Sequence, residues 1–369
     1  MLENKKIATD SKEKIEFFAA ANSGRGFVSF YKEIFGAKTI GRRYLIKGGP
    51  GTGKSTLMRR LADEAESRGM CVERYRCSSD ASSLDGVIIE GRVAIIDSTA
   101  PHSEEAELVG ARDTLVDLGR FWDSDRLFLE RERIEALSQK KKSAYALAYR
   151  FLSAAMESDM ASREMILPYV NKGRVARIAK RLTRSIASDG GFESKIGLNG
   201  AIGMNGRCTI DSYTAIARKT VYIEERYGIG YLALGEICEE ARRKGCKIAI
   251  SFEPLTPELP NAVLFEESKT LFALAKKGQR GVISLRRALD FTLLSSKDAR
   301  ELKFKSRGSR KISEALVDSA IDELKRAGEA HFELEKIYRD AMNFVAINEY
   351  TESLIKEILE RTKNTINTK

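Results

Sequence analysis

The sequence predicts an α/β fold, a mainly parallel sheet flanked by helices, with the same unit laid down twice along the chain. Three observations carry this. A short apolar, β-prone run, Tyr44-Leu45-Ile46, leads into the glycine-rich stretch Gly48-Gly49-Pro50-Gly51-Thr52-Gly53-Lys54-Ser55. Leu57, Met58, Leu61 and Ala65 then recur at helical spacing. A second apolar strand pattern, Val93-Ala94-Ile95-Ile96, is closed by an acid, Asp97. Finally, similar segments recur in the same order in the two halves of the chain.

Composition sets the outer limits. A chain of 369 residues has room for two or three domains. With 43% hydrophobic and 31% charged residues it reads as an ordinary globular protein, not a low-complexity one. No apolar run approaches the roughly 18 residues of a membrane helix. Met1 to Lys14 is charged and lacks a signal-peptide core. We therefore expect a soluble, cytoplasmic protein with no membrane contact. Cys71, Cys77, Cys208, Cys238 and Cys246 match no zinc spacing, and their odd number argues against a disulfide framework. His102 and His331 are the only histidines, which excludes a histidine-rich metal site. The net charge of +10 suits a polyanionic partner, a role that nucleotide alone can partly fill.

The glycine stretch matches the pattern Gly-x-x-x-x-Gly-Lys-Ser, a phosphate-binding P-loop. Glycines let the backbone curl round an anion and turn its N–H groups inward, and the helix that follows presents its positive end. The expected phosphate-binding residues are Gly48, Gly49, Pro50, Gly51, Thr52, Gly53, Lys54, Ser55 and Thr56. Lys54 is the candidate for the β- and γ-phosphates and for transition-state charge. Ser55 and Asp97 are the candidate Mg²⁺ ligands, Asp97 as the acid that ends the second strand. ATP is expected over GTP because no Asn-Lys-x-Asp motif occurs: Asn171-Lys172 is followed by Gly173-Arg174.

Many P-loop ATPases carry a catalytic glutamate directly after the strand-terminal aspartate. Here that position is Ser98, so the group that orients the attacking water is left open among Asp80, Asp85, Glu104 and His102. Cys77-Ser78-Ser79-Asp80 and Ser83-Leu84-Asp85-Gly86 follow a strand pattern over Cys71 to Arg76. They stand where ligands bind in open α/β sheets, but they also suit Asx turns and caps.

Farther on, Ala111 to Gly119 is expected to be helical. Phe121 to Ser158 reads as a long charged helix, a solvated hairpin or lid, with Arg126, Arg131, Arg133 and Lys140-Lys141-Lys142 along it. Asn171 to Ile186 is basic and amphipathic. It suits either an inter-domain helix or contact with nucleic acid or an anionic membrane. Ser188-Asp189-Gly190-Gly191 reads as a linker. The predicted division is residues 1–165 as the nucleotide-binding domain with a helical insertion, 166–192 as a basic linker helix, and 193–369 as the second domain with C-terminal helices.

In the repeat, Tyr44 to Gly53 aligns with Val221 to Gly230, and Gly69 with Gly245. Ser83 to Ile89 aligns with Leu259 to Phe265, and the Ala20–Gly26 turn with Gly200–Gly206. The second copy lacks the chemistry. Lys54-Ser55 falls at Gly230-Tyr231, Asp97 falls opposite Ala273, and Glu224-Glu225 replace two glycines.

On the Ala21-Asn22-Ser23 to Phe27 turn, the Gly48–Ser55 loop, Cys77-Ser-Ser-Asp80 with Leu84-Asp85-Gly86, and Asp97 followed by Thr99-Ala-Pro-His102, the chain resembles an uncharacterised family of bacterial ATPases built from two P-loop units. The resemblance spans nearly the whole chain. It implies a tandem P-loop NTPase fold with Mg²⁺ and ATP as ligands, and it names no substrate. Relatives keep a second intact P-loop, from which this sequence departs. Three classes of function stay open. One is an ATPase that couples hydrolysis to motion between the halves. Another is a small-molecule kinase with residues 120–158 as lid and Asp80 or Asp85 binding the acceptor hydroxyl. The third is a nucleotide-regulated nucleic-acid-binding module using the basic stretches 172–184 and 303–311.

Overall fold

The computed structural model describes residues 14–100, 104–188, 190–275, 278–292 and 294–367. Met1 to Glu13, Pro101-His102 and Asp189, about which the sequence raised expectations, lie outside the described residues.

The first unit opens with β1 (Ile15–Phe18), a small hairpin of β2 (Ala20–Ser23) and β3 (Gly26–Ser29), and the short α1 (Tyr31–Phe35). Then come β4 (Arg42–Lys47), α2 (Lys54–Ser67), β5 (Val72–Arg76), β6 (Leu84–Ile89), β7 (Val93–Asp97) and β8 (Asp113–Asp117). Its six-stranded sheet has the order β1-β5-β6-β7-β4-β8. The sheet is mixed: β6 is antiparallel to both β5 and β7, while the other pairs are parallel. The hairpin between β6 and β7 turns at Glu90 and Gly91, both at positive φ. Ala111 to Gly119, expected to be helical, is instead largely the edge strand β8. Its alternation, Val116 buried between exposed Leu115 and Asp117, is the period-2 pattern of a strand.

A short α3 (Ser124–Leu129) precedes the 34-residue α4 (Arg131–Glu164), and α5 (Lys172–Leu182) follows. The second unit runs in the same element order. It comprises β9 (Glu193–Ile196), the hairpin β10 (Gly200–Gly203) and β11 (Gly206–Thr209), and α6 (Ser212–Ile216). It continues through β12 (Lys219–Ile223), α7 (Ile229–Lys244), β13 (Lys247–Phe252), β14 (Pro260–Phe265) and β15 (Thr270–Leu274). Its sheet order, β12-β15-β14-β13-β9, is that of the first sheet without the edge strand. Again a single strand, β14, is reversed. Where β8 would lie, the described residues show a parallel bridge from Ile223 to Ile283. The chain ends in the 45-residue α8 (Ser296–Asp340) and α9 (Phe344–Asn367).

The terminal helices are exchanged between the units. Ile347, Leu354, Ile355, Ile358 and Leu359 of α9 share one core with Leu57, Met58 and Leu61 of α2 and with Ile46 and Ile95 of the first sheet. Conversely, Val175 and Ala179 of α5 share a core with Ala233, Leu234 and Ile237 of α7 in the second unit. The crossings use paired bonds. Asn343 N–H donates to Phe121 O at 2.9 Å, and Asn171 N–H to Ala288 O at 2.8 Å. Asn343 and Asn171 each cap the helix that follows, accepting from Ala346 N and Arg174 N. Between the sheets, Leu45, Ile88 and Ile96 meet Ala262, Leu264 and Leu271, with α1 and Tyr213 of α6 filling the sides. Helices α4 and α8 run antiparallel, with Ser158 near Ser309, Ser162 near Ser306, and Arg133 near Glu333. About 1.5 Å of rise per residue lets α8 reach about 68 Å, long enough to touch both units.

Candidate functional site

Strand β4 delivers the chain to the glycine loop, and α2 begins where the loop ends. Gly53 caps α2 in the left-handed region, φ 87°, a conformation that a side chain disfavours. The loop is tied across its neck by Thr52 Oγ1, which donates to Gly49 O at 2.9 Å. Lys54 Nζ lies across the mouth, donating to Gly48 O and Gly49 O at 2.9 Å each.

Asp97 ends β7 beside the loop strand, paired in register with Ile46. Its Oδ2 lies 3.6 Å from Lys54 Nζ, and its Oδ1 accepts from Thr99 N–H and Oγ1 at 2.9 and 2.6 Å. Ser55 Oγ accepts from the Leu84 N–H at 3.0 Å, which leaves its own O–H free to turn. Thr56 is exposed at the start of α2. The structure thus brings Lys54 and Asp97 together at the mouth of the loop, with Ser55 next to Lys54 in the first turn of α2. A hydroxyl and a carboxylate suit a hard divalent cation that keeps several waters and takes its remaining ligands from a substrate. No larger cluster of potential metal ligands occurs among the described residues.

The remaining candidates divide. Asp80 holds a turn, its Oδ1 accepting from Ser82 N–H at 3.0 Å and Ser82 Oγ at 2.7 Å. It also faces the site, close enough to bias the titration of His331 and Glu335. Asp85 is 5% exposed and hydrogen-bonds Tyr31 of α1, which gives it a partner inside the fold. Glu104 approaches Arg43 at 3.9 Å, and burial raises its pKa. Of the helical arginines, Arg126 donates to Asp340 O, Arg131 stacks on Phe128, and Arg133 pairs with Glu130 and Glu333.

Sequence reasoning missed the roof of the site, which comes from α8. A Cβ on Gly51 would sit 2.8 Å from the Glu335 carbonyl oxygen, and one on Gly49 3.0 Å from the Tyr338 ring. Burial raises the pKa of the Glu335 carboxyl, against the pull of Lys54 and Arg339. One turn away, His331 Nε2 lies 3.6 Å from Glu335 Oε1. Burial first, then the charges of Lys141 and Lys54, lower the His331 pKa to about 4. No local signal marks these residues: in sequence they belong to a charged amphipathic helix nearly three hundred positions from the loop.

The corresponding loop of the second unit is built differently. Helix α7 starts after Gly228, again left-handed at φ 82°, so Lys54 corresponds to Ile229 and Ser55 to Gly230, one position earlier than the sequence alignment suggests. Strand register likewise pairs Ile223 with Leu274 as Ile46 pairs with Asp97, which places Leu274, not Ala273, at the acid's position. The Glu225 carboxylate accepts from Gly228 N–H at 2.8 Å and Gly230 N–H at 3.0 Å, and Arg310 of α8 reaches it at 3.2 Å. Burial raises its pKa against the pull of those donors. Beside it lies a cavity of about 530 Å³ whose walls include Glu224, Glu225 and Arg286.

Asn171-Lys172, where a guanine motif was sought, caps α5 within the second core. Among the described residues, no helix is long and apolar enough to cross a membrane. Scans of protein-family models, curated proteins and solved structures returned no match to this chain.

Proposed function

We propose that the first unit is a P-loop domain that binds Mg²⁺ and ATP, and that the protein is an ATPase whose turnover moves the α4–α8 pair relative to the two sheets. The observation that carries this is the convergence at the start of α2. The glycine loop, the helix's positive end, Lys54 and the strand-terminal Asp97 meet with a Lys54–Asp97 separation of 3.6 Å. Lys54 would exchange the Gly48 and Gly49 carbonyls for β- and γ-phosphate oxygens, and Thr52 would keep the loop closed behind it. Ser55 and Asp97 would hold Mg²⁺, which neutralises charge developing on the transferred phosphoryl group. The α8 backbone at Glu335 and the Tyr338 ring lie against Gly51 and Gly49, so phosphate seated in the loop would sit directly beneath α8.

The second unit we read as a degenerate duplicate, because strand order, element order and the left-handed N-cap glycine repeat while Lys54 and Asp97 are replaced by Ile229 and Leu274. Its loop amides already hold Glu225, so we expect one ATP per chain. None of the five cysteines, all among the described residues, is in a disulfide, which suits our placement of the protein in the cytoplasm.

Titration calorimetry with ATP and Mg²⁺ should give one site per chain, lost in Lys54→Ala. Two sites, or binding that survives Lys54→Ala, would overturn the assignment. Phosphate release without an acceptor identifies an ATPase, and ADP formation that depends on an added acceptor identifies a kinase.

A further inference from the structure

Strands β4 and β8 are parallel neighbours, so both deliver their carboxyl ends to the edge of the sheet where the glycine loop lies. Lys47 and Asp117 are paired there in register, and Leu118 N–H donates to Lys47 O at 2.9 Å. Asp117 Oδ1 then accepts from Gly119 N–H at 2.8 Å, which closes a tight turn after β8. Trp122 follows that turn. A Cβ on Gly49 would lie 3.4 Å from its ring, and one on Gly119 2.9 Å, so the missing side chains let the indole lie against the loop. Tyr338 of α8 stands beside it, the ring centroids 5.7 Å apart and the planes at 54°. Both rings are half-buried, which leaves part of each accessible next to the loop.

The second unit shows that the fold does not demand an aromatic side chain at this place. Trp122 forms an antiparallel bridge with Met342, and Asn343 N–H donates to Phe121 O. At the matching crossing Leu289 forms an antiparallel bridge with Val170, and Asn171 N–H donates to Ala288 O. Leu289 therefore stands where the first unit has Trp122. The unit that has lost the counterparts of Lys54 and Asp97 also lacks the indole, and Trp122 is the only tryptophan in the chain. An aromatic surface beside a phosphate-binding loop suits a ligand with an anionic end and a flat one. Every nucleobase offers a π-face, and stacking on it needs no hydrogen bond to the base edge.

We propose that Trp122, backed by Tyr338, stacks against the base of the nucleotide whose phosphates occupy the Gly48–Ser55 loop, and so makes the site one for nucleotides and not for bare polyphosphate. This rests on the nucleotide-binding reading above.

The test compares a non-hydrolysable β,γ-imido ATP analogue with inorganic tripolyphosphate, each with Mg²⁺, on wild type, Trp122→Phe and Trp122→Leu. Titration calorimetry should show that Trp122→Leu weakens the ATP analogue at least about fivefold and leaves tripolyphosphate within about twofold, while Trp122→Phe keeps most of the affinity. In wild type, the analogue should quench the emission of the single tryptophan far more than saturating tripolyphosphate does. Equal losses for both ligands would make Trp122 a prop for the loop and overturn the stacking role. No loss for either ligand, or equal quenching by both, would overturn it too, with the phosphate site left standing. Failure of the wild type to bind either ligand would instead overturn the nucleotide-binding reading, and this proposal with it. If Trp122→Leu does not fold, the quenching comparison in wild type decides alone.

Discussion

Arg43 and Asp113 show what single residues contribute to holding the glycine loop in place. The guanidinium makes two bonds to the carboxylate, at 2.7 and 2.9 Å, between two side chains at most 2% exposed. Asp113 also accepts from the Glu107 and Leu108 amides. These bonds, led by that from Arg43, hold its carboxyl far below the usual carboxylate range. The pair locks β8 to β4, the strand that delivers the loop. Asp113→Ala leaves Arg43 charged and buried without its partner, and should destabilise the fold by about 3–5 kcal/mol in chemical denaturation. A loss below about 1 kcal/mol would show that water or Glu104 replaces the carboxylate. At this scale the sequence was legible wherever chemistry is local. Gly53, Lys54, Ser55 and Asp97 stand together because one loop and two adjacent strands place them. His331 and Glu335 were not legible as site residues, because only the packing of α8 over the loop brings them there.

His331 also gives the helix pair a pH response. Its pKa is lowered from the ordinary 6.5 to about 4, by burial first and then by Lys141 and Lys54, against the opposite pull of Asp80 and Asp97. As pH falls from about 6.5 to about 4, the unfolded chain takes up a proton that the folded chain refuses, so His331 withdraws stability across that window and is neutral in its effect above it. The side chain is 40% exposed, so solvent screens the effect. Melting temperatures of wild type and His331→Gln should run parallel above pH 7 and converge or cross on acidification, the variant falling less steeply. Identical slopes throughout would place His331 in solvent. Helix α5 makes a contrasting case. Its apolar face, Val175 and Ala179 with Ile178 and Leu182, is packed, while Arg177, Lys180 and Arg181 are exposed. Changing these three to Gln should leave both melting temperature and ATP turnover unchanged. A loss of RNA or DNA affinity that is steep in salt would instead favour a nucleic-acid-binding role. The strand at Asp113–Asp117 escaped the sequence because an edge strand with one solvated face offers few apolar residues, and a five-residue window separates period 2 from period 3.6 poorly. The reversed β6 could have been anticipated from Glu90-Gly91, a tight turn between two apolar runs.

Across the whole molecule, two units of like topology are joined by the exchange of α5 and α9, and by two long helices, of which α8 reaches both loops and α4 the second. Arg163 of α4 packs against Gly228 and over the Tyr231 ring, as Glu335 and Tyr338 of α8 pack against Gly51 and Gly49. Element order was readable from internal similarity, but the exchange was not. A helix's apolar stripe says that it must be covered and not by which neighbour. If each unit depends on the other's helix, unfolding should be a single cooperative transition. Ending the chain after Asn343 would expose the α2 side of the first sheet, along with Leu57, Met58 and Leu61. That variant should lose the first unit's thermal transition or expose surface that binds a hydrophobic dye, and adding the α9 peptide in trans should reverse the effect. A truncated chain that melts like the intact one would show that α9 is dispensable.

The exchanged helix has a consequence for how the protein is made. A ribosome releases the N-terminal sheet long before α9, whose first residue is Phe344, leaves the exit tunnel. Until α9 emerges, the nascent first unit therefore carries an uncovered apolar face, with the glycine loop at its margin. Domains that fold as units can close behind the ribosome, one after another. The first unit must wait for α9, so loop, roof and core reach their final form together, only once that helix has emerged.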